Sequence, residues 1–329
     1  YSSDPPSTLD VFIFDAIYLS YFQSKGFLEP LKDKEIENLN DILDYAVKGS
    51  KINGILYGIP QLGCTNFLFY WQKDKELKKA NTLNELKQVI GECKYSSLIP
   101  PKGIGLMVDI SGGTTAACLY LDALEDIYGK YTNNPPLPPD ESKISSWSIQ
   151  NLGQVLRMAS TKNAQYYCEK SPYQRAKWFC EGFGRAVVGF PEYMSVMEKT
   201  CIDKIDFKIL PLSNRSNISL FYMDIIGINS LVSKKGKRKL AVELANLMAS
   251  EEVMFKIINN DNSPQYLMPV RKSIFNKLKN KFPVYEKMYK LVISTSPKVF
   301  RIGVNSRQWL KLMKRKIREE IFELSCDHK

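Results

Sequence analysis

Residues 103–129, GIGLMVDISGGTTAACLYLDALEDIYG, constrain the fold more than any other stretch. An apolar run ends in a turn of small residues, and a helical pattern begins at once. A strand that feeds a helix in this way is the building step of α/β folds. The same alternation recurs along the chain. LDVFIFDAIYLSYF reads as a buried strand followed by a turn or helix start, and AVVGFPEYMSVMEK as a strand turning into a helix. TLNELKQVIGEC reads as a helix with Thr82 as N-cap, and ISLFYMDIIGINSLV as a strand region. KINGILYGIPQLGCTNFLFYW reads as a short hairpin and then a strand, with Gly and Pro at the turns. GKRKLAVELANLMASEEVMFKIINN reads as one long helix, and SRQWLKLMKRKIREEIFEL as the closing one. With 329 residues the expected architecture is two lobes.

Composition closes off several functions. Hydrophobic residues make up 44% and charged residues 25%, enough for a sizeable core. No apolar run approaches the ~18 residues of a membrane span. The net charge of +11 invites a polyanion reading. Its densest runs, however, carry apolar residues at helical spacing, so their lysines and arginines read as solvated helix faces. No zinc-finger, RNP or helix-turn-helix signature is present, and we expect no nucleic-acid partner.

The chain holds one histidine, His328, second from the end. A Ser-His-Asp triad or Cys-His pair would have to draw its base from the chain terminus. A nucleophilic cysteine here therefore needs a carboxylate as base. Zinc also loses its commonest ligand, and no metal or cofactor is expected. Seven cysteines are present, none in a C-x-x-C pair. Cys168 and Cys180 are placed to staple a loop, whereas a buried reduced thiol is the ordinary alternative. The sequons at Asn214 and Asn217 are compatible with a secretory route, though N-x-S matches are frequent by chance.

KINGILYGIPQ followed by NFLFYWQKD, and GINSLVSKKGKRKLAVELANLMASEEVMFKI followed by YLMPVRKSIF, resemble segments of extracellular solute-binding proteins. A narrower resemblance rests on DVFIFDAIYLSYF, YGIPQLGCTNFLFYW, DISGGTTAACLYL, GFPEYM and LFYMDIIGIN, in that order. On these the chain resembles the thiaminase I family, enzymes built on the solute-binding fold. The resemblance implies a two-lobed, type II periplasmic-binding-protein-like α/β fold with ligand held between lobes. It implies Cys64 as nucleophile and Glu192 as its base. It implies Asp224 and Tyr222 as pyrimidine contacts and Asp15 as a cleft aspartate of the first strand. Tyr18, Tyr173 and Tyr193 are further candidates for stacking on rings or holding a cation. The implied partners are thiamine and an amine or thiol nucleophile, and the implied location is secreted or extracytoplasmic.

The resemblance also implies a strand, a helix and a second strand ahead of LDVFIFDAIYLSYF, absent from this chain. The expectation is a fragment of a longer protein, partnered by its own N-terminal portion. We expect one lobe to comprise residues 1–104 and 227–294, carrying Cys64. The other is expected to comprise 105–226 and 295–329, carrying Glu192 and Asp224. Taken one at a time, these residues have plainer readings. Cys64 is a small buried hydrophobe, Glu192 a cap, Asp224 a satisfied core acid and Tyr222 a core ring. The alternative function is a non-catalytic binding protein for thiamine or another small solute.

Overall fold

A computed structural model describes residues 4–5, 8–93, 100–128, 137–160, 172–215, 220–259, 264–295 and 297–326. Its strands, in chain order, are β1 (Val11–Asp15), β2 (Lys51–Ile52), β3 (Ile55–Leu56), β4 (Ile59–Cys64), β5 (Phe67–Trp71), β6 (Lys102–Met107), β7 (Gly184–Gly189), β8 (Ile205–Ile209), β9 (Leu220–Ile228), β10 (Met268–Pro269) and β11 (Lys298–Val299). They fall into two compact units. Unit 1 comprises Tyr1–Cys64, Thr132–Leu137 and Leu220–Arg307; unit 2 comprises Thr65–Tyr131, Pro138–Ser219 and Gln308–Lys329.

This division differs from the boundaries read in the sequence. The chain leaves unit 1 directly after Cys64, not near residue 104, because β5 pairs with β7 and β8 of the other sheet. Apart from the short segment Thr132–Leu137 it returns at Leu220, so Asp224 belongs with Cys64 and not with Glu192. The cause is β9, which pairs with both β1 and β4. The last passage falls after Arg307 rather than near residue 294.

Unit 1 is organised around β9. Its nine residues, LFYMDIIGI, are mostly β-branched and aromatic, and it is flanked by antiparallel β1 and β4. Every residue of β9 is buried except Asp224, which is half-buried. Strand β10 extends the sheet beyond β4, and β11 pairs parallel to β9. Ahead of β4 the β2–β3 hairpin turns at Asn53 and Gly54, with φ of 51° and 81°. Those are the left-handed values a two-residue hairpin turn requires, which Asn-Gly supplies at little cost. The stretch read as one long helix is two, Arg238–Met248 and Glu251–Ile258. Ser250 breaks it, because its hydroxyl accepts the Val253 N–H and caps the second helix.

Unit 2 holds a four-stranded sheet in the order β6-β7-β5-β8. Strand β6 runs through a turn into helix Gly113–Tyr128, the strand-to-helix step expected from residues 103–129. Asp109 accepts the Gly112 N–H at 3.2 Å and Thr115 donates to the Gly112 carbonyl at 3.0 Å. These bonds make SGGTT a tight lead-in to the helix. Phe67 stacks on Phe207 at 4.6 Å and Trp71 on Phe179 at 5.1 Å, both on one face of β5 by strand alternation. Thr82 caps helix Leu83–Ile90 in a capping box with Glu85.

Cys180 is joined to Cys201, with Cα atoms 5.6 Å apart, and not to Cys168, the staple partner that the sequence offered but left open. Cys168 and Asn217 lie outside the described residues. Asn214 accepts the Asn84 N–H at 2.8 Å. The disulfide closes a loop of sequence separation 21, which ties helix Pro172–Cys180 to the segment before β8. Loop-closure entropy at that length gives about 3 kcal/mol. A Cys180→Ser/Cys201→Ser variant is expected to melt roughly 5–10 °C lower than the parent in calorimetry.

Candidate active site

Period-2 alternation along β9 sends Tyr222 and Asp224 to one face of the unit 1 sheet and Phe221, Met223 and Ile225 to the other. Ladder register then selects their neighbours. Cys64, the last residue of β4, lies directly opposite Tyr222. Asp15, the last residue of β1, lies directly opposite Asp224. Cross-strand partners share a face, so one face of three adjacent strands presents a thiol, a phenol and two carboxyls. This is the open face: Cys64, Leu62, Asp15 and Asp224 are all partly accessible, and Ile13 is 43% exposed. The reverse face, with Phe14, Met223 and Ile225, is closed.

The electrostatics of that face follow from the pairing. Asp15 caps the short helix that follows, its carboxyl accepting the Ile17 N–H at 2.9 Å. Although part of the residue reaches solvent, the carboxyl itself is ringed by protein. Burial pushes its pKa up to about 7, and the facing Asp224 adds to the rise. Burial also raises Asp224 above the ordinary carboxylate range. Two carboxyls on one face, with Asp15 titrating near neutral pH, form a suitable receptor for an organic cation. Tyr222 is buried and its ring lies 4.8 Å from Phe300. Tyr18 is partly accessible and stacks on Phe22 at 5.9 Å. Cys64 is outside any disulfide and partly accessible, as a nucleophile must be.

One neighbour of Cys64 went unread in the sequence. Tyr45 is buried, and its pKa is raised by burial and by the charge of the Cys64 thiolate. Its hydroxyl would sit 2.8 Å from a Cβ placed on Gly63, so a side chain beside Cys64 would have to displace it. In the sequence Tyr45 is one apolar position of a helical stretch, DYAVKG, and nothing there sets it apart.

Unit 2 carries a second group. Glu192 lies in the first turn of the 3-10 helix Pro191–Val196, directly after β7, with Pro191 starting that turn. The residue is partly accessible, but its Oε2 atom is buried. Beside it Tyr193 is buried, and its phenol accepts a 2.9 Å hydrogen bond from Arg175. Arg175 is 2% exposed and pairs with Asp109 at 3.6 Å. Burial raises the Tyr193 pKa, Arg175 lowers it, and Asp109 and Glu192 raise it further. The half-exposed Tyr173 meets the Tyr193 ring at 6.4 Å. Arg175 and Asp109 were not singled out in the sequence. The available signal was an arginine on the apolar side of SPYQRAKWF, which only a buried partner justifies.

The sequence-read residues thus separate into two constellations. Cys64, Asp15, Asp224, Tyr222 and Tyr18 belong to unit 1, and Glu192 and Tyr173 to unit 2. Among the described residues no three His, Cys, Asp or Glu side chains gather as metal ligands. No helix among them is long and apolar enough to cross a membrane.

Comparison with known proteins gives these constellations a context. A family model described as the Thiaminase-1 domain matches residues 65–213. A protein named Thiaminase-1 from Paenibacillus thiaminolyticus is 38% identical over 328 residues, 98% of this chain and 78% of that protein. The structure of Clostridium botulinum thiaminase I in complex with thiamin matches with a TM-score of 0.91 at 40% identity, covering 99% of this chain and 88% of that one. Maltose-bound T. maritima MalE3 matches with a TM-score of 0.70 at 17% identity, covering 98% and 84%, which shows a shared fold. The fold is the periplasmic-binding-protein-like one expected from the sequence.

Proposed function

The chain belongs to the thiaminase I family, and from that premise we propose that it is a thiamine-degrading transferase whose nucleophile is Cys64. The observation that carries this reading is the placement of a partly accessible thiol on the same open sheet face as two carboxyls of raised pKa. Thiamine joins an electron-poor aminopyrimidine to a cationic thiazolium through a methylene. The Cys64 thiolate adds at C6 of the pyrimidine and pushes an electron pair into the ring. Asp224, bonded to the ring nitrogen or amine, steadies that charge. The C–N bond to the thiazolium breaks, and the thiazole leaves as a neutral molecule carrying that bond's electron pair. An amine or thiol then adds at the methylene and loses its proton. The Cys64–C6 bond breaks last, which restores the thiolate and the aromatic ring. No cofactor takes part.

A thiol needs a base, and the one histidine lies at the terminus. Glu192 is the base we propose, on the strength of its place in GFPEYM and its buried Oε2. Asp15 shares the cationic charge with Asp224, and Tyr222, Tyr18 and Tyr173 are the proposed ring contacts. An extracytoplasmic location agrees with the solute-binding-type fold and with the disulfide, which persists in oxidising compartments.

The deciding experiment is thiamine consumption with aniline or pyridine as second substrate, followed by mass spectrometry. Loss of thiamine with appearance of the pyrimidinylmethyl adduct supports the reading. Binding without any turnover sinks it and leaves a receptor on the same fold. Within this assay Glu192→Gln is expected to lower kcat/KM by about 10²–10⁴-fold. It should also remove the acidic limb of the kcat–pH profile at saturating thiamine, where the bound cation keeps Asp15 ionised, because a glutamate must be ionised to accept the thiol proton. An unchanged acidic limb would exclude Glu192 as the base.

A further inference from the structure

We infer that unit 1 carries a second binding site, for an organic phosphate monoester, on the side of its sheet away from Cys64. A cavity of about 620 Å³ lies between helix Asp44–Gly49, helix Val284–Thr295 and the segment around β11. One of its walls is Tyr45, whose ring packs on Phe221 at 5.1 Å. Phe221 faces away from Tyr222 and Asp224 by strand alternation, so the cavity and the thiol occupy opposite sides of the sheet.

The charge of the lining points to an anion. Lys48, Lys272, Lys298 and Arg301 face the cavity, against one carboxylate, Asp44. Arginines elsewhere in the protein are matched with acids: Arg185 with Asp74, Arg238 with Glu35 and Arg271 with Asp41. Among the described residues, Lys48, Lys272 and Arg301 of the cavity are not. Lys272 donates to the Asn40 carbonyl at 3.0 Å and Arg301 to the Lys51 carbonyl at 2.9 Å. Lys48, Lys272 and Arg301 form no ion pair among the described residues. Burial alone acts on Arg301, pulling its pKa below the ordinary value with no carboxylate to offset it. A partly buried guanidinium with spare donors is the group that binds oxyanions in bidentate fashion.

The rest of the lining sets the ligand class. Tyr45, Tyr289, Val292 and Ile293 supply rings and aliphatic surface, and Ile293 is 57% exposed. A bare anion leaves that surface wet. An organic group attached to the anion covers it, at about 25 cal/mol per Å² of apolar area removed from water. Several unpaired cations favour a dianion over a monocarboxylate. A phosphate monoester meets both demands.

The test is calorimetric titration of the intact protein with phenyl phosphate, beside inorganic phosphate, benzoate and phenol. Phenyl phosphate is expected to bind at least about tenfold more tightly than each control. Arg301→Gln is expected to weaken it by roughly tenfold or more. Lys48→Gln, on an exposed helix position, should weaken it severalfold without loss of the fold. Saturating thiamine should leave the titration unchanged, since the two sites lie on opposite sides of the sheet. Equal binding of inorganic phosphate or benzoate would overturn the assignment to organic phosphates. Competition by thiamine, or indifference to both substitutions, would overturn the site itself.

Discussion

Cys64→Ser is expected to reduce thiamine turnover by at least ~10³-fold while leaving thiamine affinity within a few-fold of the parent. The substitution changes one atom at the end of β4. The ladder with β9 that fixes the residue opposite Tyr222 is made by backbone and survives. The carboxyls that would hold the cation stand on β1 and β9 and survive as well. What is lost is thiolate chemistry, since a hydroxyl beside a carboxylate base stays protonated at neutral pH. Single-turnover kinetics and equilibrium binding separate the two effects. A serine variant that retains even a tenth of the rate would remove Cys64 from the mechanism.

Asp15→Asn is expected to raise stability at alkaline pH and to weaken thiamine binding at the same time. The folded pKa of Asp15 is about 7, against an ordinary value of 3.8, because burial and Asp224 disfavour its charge. A carboxyl whose folded pKa is raised binds more protons folded than unfolded between those two values. Stability therefore falls as pH rises from about 4 to about 7 and remains lowered above it. Each pKa unit is worth ~1.4 kcal/mol, and relaxation around the group reduces the total, so about 1–3 kcal/mol is the expected gain for Asp15→Asn at pH 8. The amide oxygen retains the cap on Ile17. The gain should shrink towards zero near pH 4, where Asp15 is protonated in both states. Denaturant melts at the two pH values, with thiamine titrations alongside, test both halves. A variant less stable than the parent at pH 8 would show that the carboxylate is matched by a cation.

The ordered motifs of the sequence were enough to name the fold and the family, because strand, turn and helix signals are local. Thr82 and its capping box, the Asn53-Gly54 hairpin and the strand-to-helix step at Gly113 all follow from neighbours within a few residues. Register is different. That Cys64 faces Tyr222 and Asp15 faces Asp224 depends on strands far apart in the chain, and no local pattern reports it. The same reason misplaced Asp224. Its strand was read as leading out of the second lobe, whereas its pairing partners lie in the first. Tyr45 and Arg175 were illegible because each sits on an ordinary amphipathic helix and matters only through what lies beneath it. Ser250 could have been read: a serine followed by two glutamates is a helix start.

The central strand of unit 1 is also the one made last among those that carry the site. Strands β1 and β4 emerge early, the whole stretch from Thr65 to Ser219 follows, and only then does β9 arrive to pair with both. During synthesis the second unit's sheet can therefore close before the first one has its middle. Until β9 docks, the Cys64 thiol belongs to an incomplete sheet while Cys180 and Cys201 are seeking each other. That order of assembly leaves Cys64 open to a bridge with either of them before its own strand is covered.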